Sequence, residues 1–398
     1  MDQSYKLKQT GYIQKIAALV LASSLAAAGT IAILPSNAFA AQAATTSTSS
    51  NTSTTQSVIA IQVNGKAIRA SAIRSKAGNT LVPLKDTLRA MGYTLSYSSR
   101  TQMITATKGK TSATYDLHNP LSSGDDGVYV SFNNGLFGEH YDSKIVKGVA
   151  YVQAQALAEP FNYLVLSSHN NRTINLTQAG MNDITVTPTA LTSKVSNANA
   201  SIDITYPVIT GLDNTAVQTA INHQLKDYFQ QFLTKHQKKI KALGSSVSKE
   251  NRYDVISGYR MTYNQNGIVS FILSNNQFLG NTQGDVLMAS MNFSLRDGKL
   301  IPLDDLLTSN ANYEQTLKTL IQKEIRKSTD SPNDSLKKFN ALSATSNEYM
   351  NNYYLTDSGF HIFFQITDIT SGMTGNPDFG FTFNQVLPSG TNPLNAYK

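Results

Sequence analysis

Two thirty-residue stretches, seventy positions apart, constrain the fold of this chain more than any other feature of its sequence. Residues 78–107 and 148–177 align without a gap, and apolar positions in one meet apolar positions in the other. In each, a short strand-like run leads into apolar residues at helical spacing and then into alternating runs. Gly92 aligns with Asn162, and these are the residue types that most readily adopt the left-handed conformation that ends a helix. The pattern predicts a duplicated strand, helix and hairpin, although two similar units could also coincide by chance.

The residues around the repeat carry local signals of their own. Pro160 falls in the last turn of the second predicted helix, where its missing N–H removes a hydrogen bond, so we expect that helix to be short or bent. Before the first copy, Val58–Val63 reads as a strand and leads into Asn64-Gly65, which suit the two positive-φ positions of a type I′ turn. The folded part is therefore predicted to begin at Val58 with a β-hairpin.

The first forty residues predict export. Three lysines precede an apolar run at 16–34, and Ala38-Phe39-Ala40 provides a small-residue cleavage site, as in a secretory signal peptide at 1–40. A retained membrane anchor is the alternative, since about 20 apolar residues can span a bilayer. Residues 41–57 are rich in Ser and Thr and are expected to form a solvated linker. We expect a secreted, cell-envelope-associated protein.

The composition limits how this exported chain can be stabilised and what it can bind. It contains no cysteine, so disulfide bridges and thiolate metal ligands are excluded, and this fits a Gram-positive envelope better than a eukaryotic secretory pathway. Without residues 1–40, which carry three Lys and one Asp, the formal charge falls from +7 to +5. That excess is too diffuse to indicate a nucleic-acid partner.

Residues 179–398 differ in pattern from the repeat region and are predicted to form a second domain. Ala216–Leu243 reads as a long amphipathic helix, Tyr313–Lys327 as another helix, and Val286–Leu295 as an alternating strand. Further predicted strands lie at Tyr259–Tyr263, Ile268–Leu273, Tyr353–Leu355, Phe360–Ile366 and Phe379–Val386. The predicted fold class is α+β: a duplicated strand-helix-hairpin domain at 58–178, then an antiparallel sheet with helices packed on one face.

No catalytic site can be assigned from the residues. The histidines are scattered, at His118, His140, His169, His223, His236 and His361. The tight group Glu139-His140-Tyr141-Asp142 is predicted to lie in a solvated loop. Asp304 and Asp305 are predicted to lie at the start of a helix, where their negative charge is favourable. Nucleophile-elbow and phosphate-loop motifs are absent from the sequence. We therefore predict a protein that is not an enzyme and has no cofactor or metal, with a metal-dependent hydrolase acting on cell-wall material through Glu139 and His140 as the alternative.

One surface feature suggests a polyanionic partner. Four lysines gather at the end of the long predicted helix, namely Lys235, Lys238, Lys239 and Lys241. A basic helix end attracts polyphosphates such as teichoic acids or anionic lipids, whereas the alternative is a helix end that is merely solvated. These lysines are the candidate polyanion-binding residues.

The repeat region resembles a known family. Val63-Asn64-Gly65, Leu81-Val82-Pro83-Leu84 and Met91-Gly92-Tyr93 are similar to the copper amine oxidase N-terminal domain, also called a stalk domain in exported proteins. The resemblance covers about 58–178. It implies a non-catalytic α+β appendage, because the copper chemistry of the enzymes that give the family its name belongs to another domain.

The second half resembles domains of unknown function found in lysozyme-sensing anti-sigma factors and beside peptidoglycan deacetylase domains. The similarity rests on residues 206–222, 291–307 and 353–369 and spans most of 183–390. In that family a Gly-Gly-Ala-His type loop usually precedes the strand equivalent to 286–295, whereas residues 280–284 here contain no histidine. The resemblance implies an envelope binding or sensing protein whose partner is a wall polymer or an envelope protein, such as lysozyme. A purely structural spacer is a third reading.

Overall fold

A computed structural model describes residues 59–117, 127–132, 137–168, 170–193, 195–280, 285–328, 331–370 and 376–398. The predicted signal peptide at 1–40 and linker at 41–57 lie outside these ranges. The chain divides into two compact units, Met1–Ile59 and Ala60–Lys398, and nearly all described residues belong to the second. Within the described ranges, no helix is both long enough and apolar enough to cross a membrane.

The first eleven described strands form a single sheet. They are β1 (Ile59–Val63), β2 (Lys66–Arg74), β3 (Thr80–Pro83), β4 (Thr94–Ser98), β5 (Met103–Lys108), β6 (Thr111–Asp116), β7 (Gly127–Phe132), β8 (Phe137–Val146), β9 (Val149–Gln153), β10 (Leu164–Ser167) and β11 (Thr173–Thr177). Their order is β10-β11-β1-β2-β3-β9-β8-β7-β6-β5-β4. Two short helices, α1 (Leu84–Ala90) and α2 (Ala154–Ala158), follow β3 and β9. The parallel pairing of β1 with β11 was not predicted from the sequence.

The predicted duplication is present in the structure. The elements β3, α1, β4 and β5 recur as β9, α2, β10 and β11 with the predicted shift. Val82 pairs with Val152, its counterpart in the repeat, in an antiparallel register, so the two copies are related by a local two-fold axis. Gly92 has φ 85° and Asn162 has φ 57°, which confirms the left-handed position in both copies. Pro160 limits the second helix to five residues followed by a 3₁₀ turn, as its missing N–H predicts.

Asn162 provides a stability test of the left-handed cap. Asn162→Ala is expected to lower the free energy of unfolding by about 1 kcal/mol, because a Cβ without a compensating polar group is disfavoured at φ 57°. Asn162→Gly is expected to keep or slightly raise that free energy, because glycine adopts positive φ without steric cost. Urea denaturation of the two variants gives the comparison, and equal stability of both would contradict the prediction.

The second half of the unit contains a five-stranded sheet with one long helix on it. The strands are β12 (Thr185–Ala190), β13 (Ala200–Thr210), β14 (Tyr253–Gln265), β15 (Ile268–Leu279) and β16 (Asp285–Ser294), in that order across the sheet. The helix α3 (Thr215–Leu243) confirms the long amphipathic helix predicted at 216–243, and it buries apolar residues at helical spacing, among them Val217, Ile221, Leu225 and Phe229. β13 and β14 are parallel, because α3 supplies the crossover that a parallel pair requires. The remaining strand pairs of this sheet are antiparallel.

A smaller sheet and four α-helices follow in the described part of the C-terminal region. The strands are β17 (Tyr353–Thr356), β18 (Gly359–Phe363) and β19 (Asp378–Phe381), and the helices are α4 (Leu303–Leu307), α5 (Tyr313–Ser328), α6 (Pro332–Thr345) and α7 (Phe383–Val386). The strand predicted at 379–386 is wrong beyond Phe381, because Thr382 and Gln385 form a capping box that begins a helical turn. Polar side chains join the two sheets: Asn292 donates to the Tyr353 carbonyl (2.9 Å), and Ser270 Oγ accepts from the Leu355 N–H (3.1 Å).

Candidate functional site

The structure separates the residues considered for a metal-dependent hydrolase. Residues 139–142 lie in strand β8, so the predicted loop is wrong. Successive side chains of a strand point to opposite faces, and here Glu139 contacts Arg260 while the His140 ring lies 4.8 Å from that of Tyr129. Asp142 is held by the Ser75 hydroxyl, which donates to its Oδ2 at 2.7 Å. The described ranges contain no group of three His, Cys, Asp or Glu side chains placed to hold a metal ion.

The other described histidines have local partners. The side chain of His223 is 73 % exposed, and its Nδ1 lies 2.9 Å from Asp227. His236 is buried, with its Nδ1 2.8 Å from the Tyr253 hydroxyl. His118 and His169 lie outside the described residues.

His361 lies on β18, on the side of the strand opposite Phe360, as the alternation predicts. Its Nδ1 is 2.7 Å from Asp378 Oδ1, and its ring stacks on Tyr354 at 4.9 Å. The Tyr354 hydroxyl donates to the other oxygen of the same carboxylate. These contacts orient the imidazole.

The four candidate lysines are all exposed on the last turns of α3. Lys239 Nζ donates to Gln277 Oε1 at 2.9 Å and lies 5.7 Å from the centre of the Tyr253 ring. No ion pair within the described part of the chain includes Lys235, Lys238, Lys239 or Lys241. Their role in binding a polyanion stays a prediction. Asp304 and Asp305 lie in the first turn of α4, where negative charge favours the helix, as predicted.

A cleft of about 540 Å³ lies in the C-terminal half of the chain. Its walls are the β14–β15 turn, the β17–β18 turn, the start of α7 and the segment before the C-terminal 3₁₀ helix. It is lined by Tyr263, Gln265, Asn266, Thr356, Asp357, Ser358, Gly359, Thr382, Phe383, Asn384, Gly390, Thr391, Asn392 and Leu394. The volume falls within the roughly 300–1,000 Å³ of small-ligand sites. Nine of the fourteen lining residues carry an amide or a hydroxyl group.

Two glycines allow the turns of the cleft to lie close to neighbouring backbone. Asn266 and Gly267 have φ 55° and 72°, the type I′ geometry that joins β14 to β15. A Cβ on Gly267 would overlap the carbonyl oxygen of Tyr397 in the C-terminal segment. A Cβ on Gly359 would overlap the carbonyl oxygen of Phe381 in β19. A side chain at either glycine would therefore push its turn away from the neighbouring backbone.

Asp357 provides the charge in the cleft. Gln265 Nε2 donates to Asp357 Oδ1 at 2.7 Å, which fixes the orientation of the carboxylate. The side chain is exposed, but the crowding of protein atoms around it raises the pKa of Asp357. Asp357 in turn raises the pKa of Tyr263 and of Glu159, although burial is the main cause for both. Above its pKa, Asp357 therefore places one negative charge at this end of the cleft.

An aromatic side chain gives the cleft an apolar surface. Phe383 is partly buried, and its ring centre lies 5.3 Å from that of the buried Phe360. At its mouth, Asn384 and Thr391 have amide and hydroxyl groups without a hydrogen-bond partner among the described residues, and Asn384 is exposed. The cleft therefore combines an aromatic side chain with the amide of Asn384 and the hydroxyl of Thr391, which make no hydrogen bond within the described residues.

A cluster of charged side chains around Arg260 lies where the first and second halves of the compact unit meet. Arg260 of β14 has only 12 % of its side chain exposed, and its Nη1 contacts Glu139 and lies 3.6 Å from Glu159. The Tyr141 hydroxyl donates to Glu159 at 2.8 Å. The Arg260 guanidinium also lies 5.6 Å from the centre of the Phe132 ring. Arg260 thus connects β14 to β7, β8 and the turn after α2.

The electrostatics of this charged group follow from its partial burial. Burial, and then the charge of Glu139, raises the pKa of Glu159, while Arg260 acts in the opposite direction. Burial raises the pKa of Tyr141 strongly, with further contributions from the two carboxylates. The charged side chains around Arg260 thus form a contact between the two halves of the unit. None of them is a free nucleophile.

Sequence reasoning did not find the cleft or the Arg260 group. Asp357-Ser358-Gly359 has the residue types of a turn between two predicted strands, but nothing in the sequence places it beside Asn266-Gly267 and residues 382–392. Asn266-Gly267 is itself a strong hairpin signal, and it could have been used to predict the β14–β15 turn that forms one wall of the cleft. Arg260 lies within a predicted strand, and its partners are more than a hundred residues earlier in the chain.

Three family models match the chain in succession. Residues 62–176 match the copper amine oxidase N-terminal domain, residues 193–285 match Deacetylase PdaC, and residues 304–384 match the protein family of unknown function DUF3298. No curated protein matches the chain.

Two solved structures of the DUF3298 family are similar to part of the chain. One, from Bacteroides fragilis, is 15 % identical, covers 54 % of this chain and 96 % of its own, and has a TM-score of 0.36. The other, from Pseudomonas aeruginosa, is 13 % identical, covers 51 % of this chain and 91 % of its own, and has a TM-score of 0.31. By its family matches, the chain joins a stalk-like domain of the copper amine oxidase N-terminal type to domains of the PdaC and DUF3298 types.

Proposed function

We propose that this chain is an exported, non-enzymatic binding protein of the Gram-positive cell envelope. Its N-terminal domain acts as a stalk, and its C-terminal half binds a hydroxyl-rich wall polymer in the cleft between the β14–β15 and β17–β18 turns. The observation that carries the proposal is the cleft lining, which combines amide and hydroxyl side chains with the ring of Phe383.

The chemistry of the lining suits a glycan. Amides and hydroxyls both donate and accept hydrogen bonds, and sugar hydroxyls need partners of both kinds. Phe383 offers an apolar surface against which the C–H face of a sugar ring can pack, and the buried Phe360 ring packs against it. The similarity to PdaC and DUF3298 domains is consistent with an envelope role, and a wall glycan is the polymer there with this chemistry.

The geometry favours binding over hydrolysis. Glu139 and His140 point to opposite faces of β8, so the two residues considered for metal-assisted chemistry do not converge on one ion. Glu139 is instead engaged by Arg260, and Asp142 by Ser75. The alternative role as a spacer has no comparable support, because a spacer does not require a polar cleft.

Asn384→Ala provides the test. This exposed residue at the cleft mouth is expected to form one hydrogen bond to bound glycan, and its loss should weaken binding by about threefold to tenfold. Cosedimentation of the purified chain with insoluble peptidoglycan, followed by calorimetry with soluble glycan fragments, measures the change. Asn333→Ala, at an exposed position on α6, is the matched control and should bind like the unmodified chain.

The same measurements separate the proposal from its alternatives. Absence of binding by the unmodified chain would overturn the glycan proposal. If Asn384→Ala and Asn333→Ala weakened glycan binding equally, the cleft would not be the binding site. Release of soluble fragments from peptidoglycan by the chain would overturn the non-enzymatic role.

A further inference from the structure

The charge of the cleft is unbalanced. Asp357 is the only charged residue in its lining as the structure describes it, and the lining contains no Lys, Arg or His. None of the ion pairs formed between described residues includes Asp357. A carboxylate crowded by protein atoms without a counter-ion gains from a cation brought by a ligand.

The carboxylate is oriented for such a contact. Gln265 Nε2 holds Oδ1 at 2.7 Å, and Oδ2 has no hydrogen-bond partner in the described part of the chain. Gln265 ends β14, and Asp357 lies in the β17–β18 turn, so two different strand pairs fix this geometry. The negative charge of Asp357 also raises the pKa of Tyr263 and of Glu159, after burial as the main cause for both.

The rest of the lining limits what can carry the cation. The same lining contains the Ser358 hydroxyl, which is 3.1 Å from that of Thr356, the Thr391 hydroxyl and the Asn384 amide, which suit a ligand with several hydroxyls. Phe383 provides an apolar face for a ring. An anionic sugar or a phosphate would be repelled by the Asp357 carboxylate, and the cleft lining has no basic residue to bind such an anion. A charged ammonium group, by contrast, forms a strong charge-assisted hydrogen bond with a carboxylate oxygen.

We propose that the cleft selects sugars that carry a free primary amine, with the ammonium group bound by Asp357 and the ring hydroxyls by the amide and hydroxyl side chains around it. An N-acetylated sugar of the same length lacks this charge and binds more weakly. This inference rests on the proposed function, because it names the ligand class of the same cleft.

The test compares two forms of one ligand. The full chain is titrated by calorimetry with β-1,4-linked glucosamine oligomers and with their N-acetylated equivalents of equal length. The free-amine oligomer is expected to bind about tenfold more tightly than the N-acetylated oligomer, because the charge-assisted bond is lost on acetylation. The preference should also fall as salt is added. Equal binding of the two oligomers by the unmodified chain would overturn the inference without requiring any variant.

Two variants locate the preference. Asp357→Asn keeps the size of the side chain and removes its charge, so the preference for the free amine should disappear while binding of the N-acetylated oligomer stays the same. Asp213→Asn, at an exposed position outside the cleft, is the matched control and should keep the preference. If Asp357→Asn keeps it too, the inference is wrong.

The outcome also shows which of the two proposals fails. If the N-acetylated oligomer binds as tightly as the free amine and Asn384→Ala weakens both, the inference fails and the glycan proposal stands. If the chain binds neither oligomer nor peptidoglycan, both fail.

Discussion

Truncating Phe364 to Ala is expected to lower the free energy of unfolding by about 3–5 kcal/mol, the typical cost of removing a buried aromatic ring. Phe364 is fully buried. Its ring centre lies 5.8 Å from that of Phe339, 6.0 Å from Tyr349 and 6.0 Å from Phe379. These partners come from α6, the 3₁₀ turn before β17, and β19, so no single neighbour can move to fill the cavity.

Equilibrium urea denaturation measures this loss. Tyr97→Ala is a suitable control, since it removes an aromatic ring that is 62 % exposed on the edge strand β4. The control is expected to change the free energy of unfolding by less than about 1 kcal/mol, because little apolar surface returns to water. A loss below about 1 kcal/mol for Phe364→Ala would contradict the packing described for this core.

Replacing Arg260 by Met is expected to lower the free energy of unfolding by about 2 kcal/mol. Breaking a fully buried ion pair costs about 3–5 kcal/mol because a charge stays behind unpaired. Here the remaining carboxylates, Glu139 and Glu159, have side chains that are 43 % and 40 % exposed, so water reduces the cost. Met preserves much of the packing of the Arg side chain against Phe132.

The control for Arg260→Met also removes the two carboxylate charges that this substitution leaves unpaired. A triple variant with Arg260→Met, Glu139→Gln and Glu159→Gln should recover most of the lost stability, because the amides leave no unpaired charge. Lys327→Ala, which breaks an exposed pair with Glu324, is expected to change stability by less than about 0.5 kcal/mol. If the triple variant is no more stable than Arg260→Met alone, loss of packing and not loss of charge pairing explains the effect.

Much of the fold could be predicted because its determinants are local. The apolar spacing of 216–243 places the buried face of α3 correctly, and the left-handed requirement at Gly92 and Asn162 identifies the repeat. Both depend on interactions within a few residues. The strand predicted at 379–386 is correct up to Phe381 and wrong beyond it, because the contact between Thr382 and Gln385 begins a helix at residues that also fit a strand pattern.

The site could be predicted only in part, because its residues converge from distant segments. Glu139 and His140 are adjacent in sequence, and for that reason strand alternation sends them to opposite faces. Gln265 and Asp357 are ninety-two positions apart, yet their side chains form a 2.7 Å hydrogen bond. Adjacency in the sequence therefore suggested Glu139 and His140 as a site, although their side chains do not converge.

The sequence alone determined the duplicated unit, the long amphipathic helix, the α+β class and the resemblance to stalk, PdaC and DUF3298 domains. These follow from periodicity, turn residues and short motifs, which act within one element. Only the tertiary structure decided that β3 and β9 pair at equivalent positions, that Arg260 joins Glu139 and Glu159, and that four chain segments form one cleft around Asp357. Such contacts depend on how packed elements meet, and local patterns do not encode that.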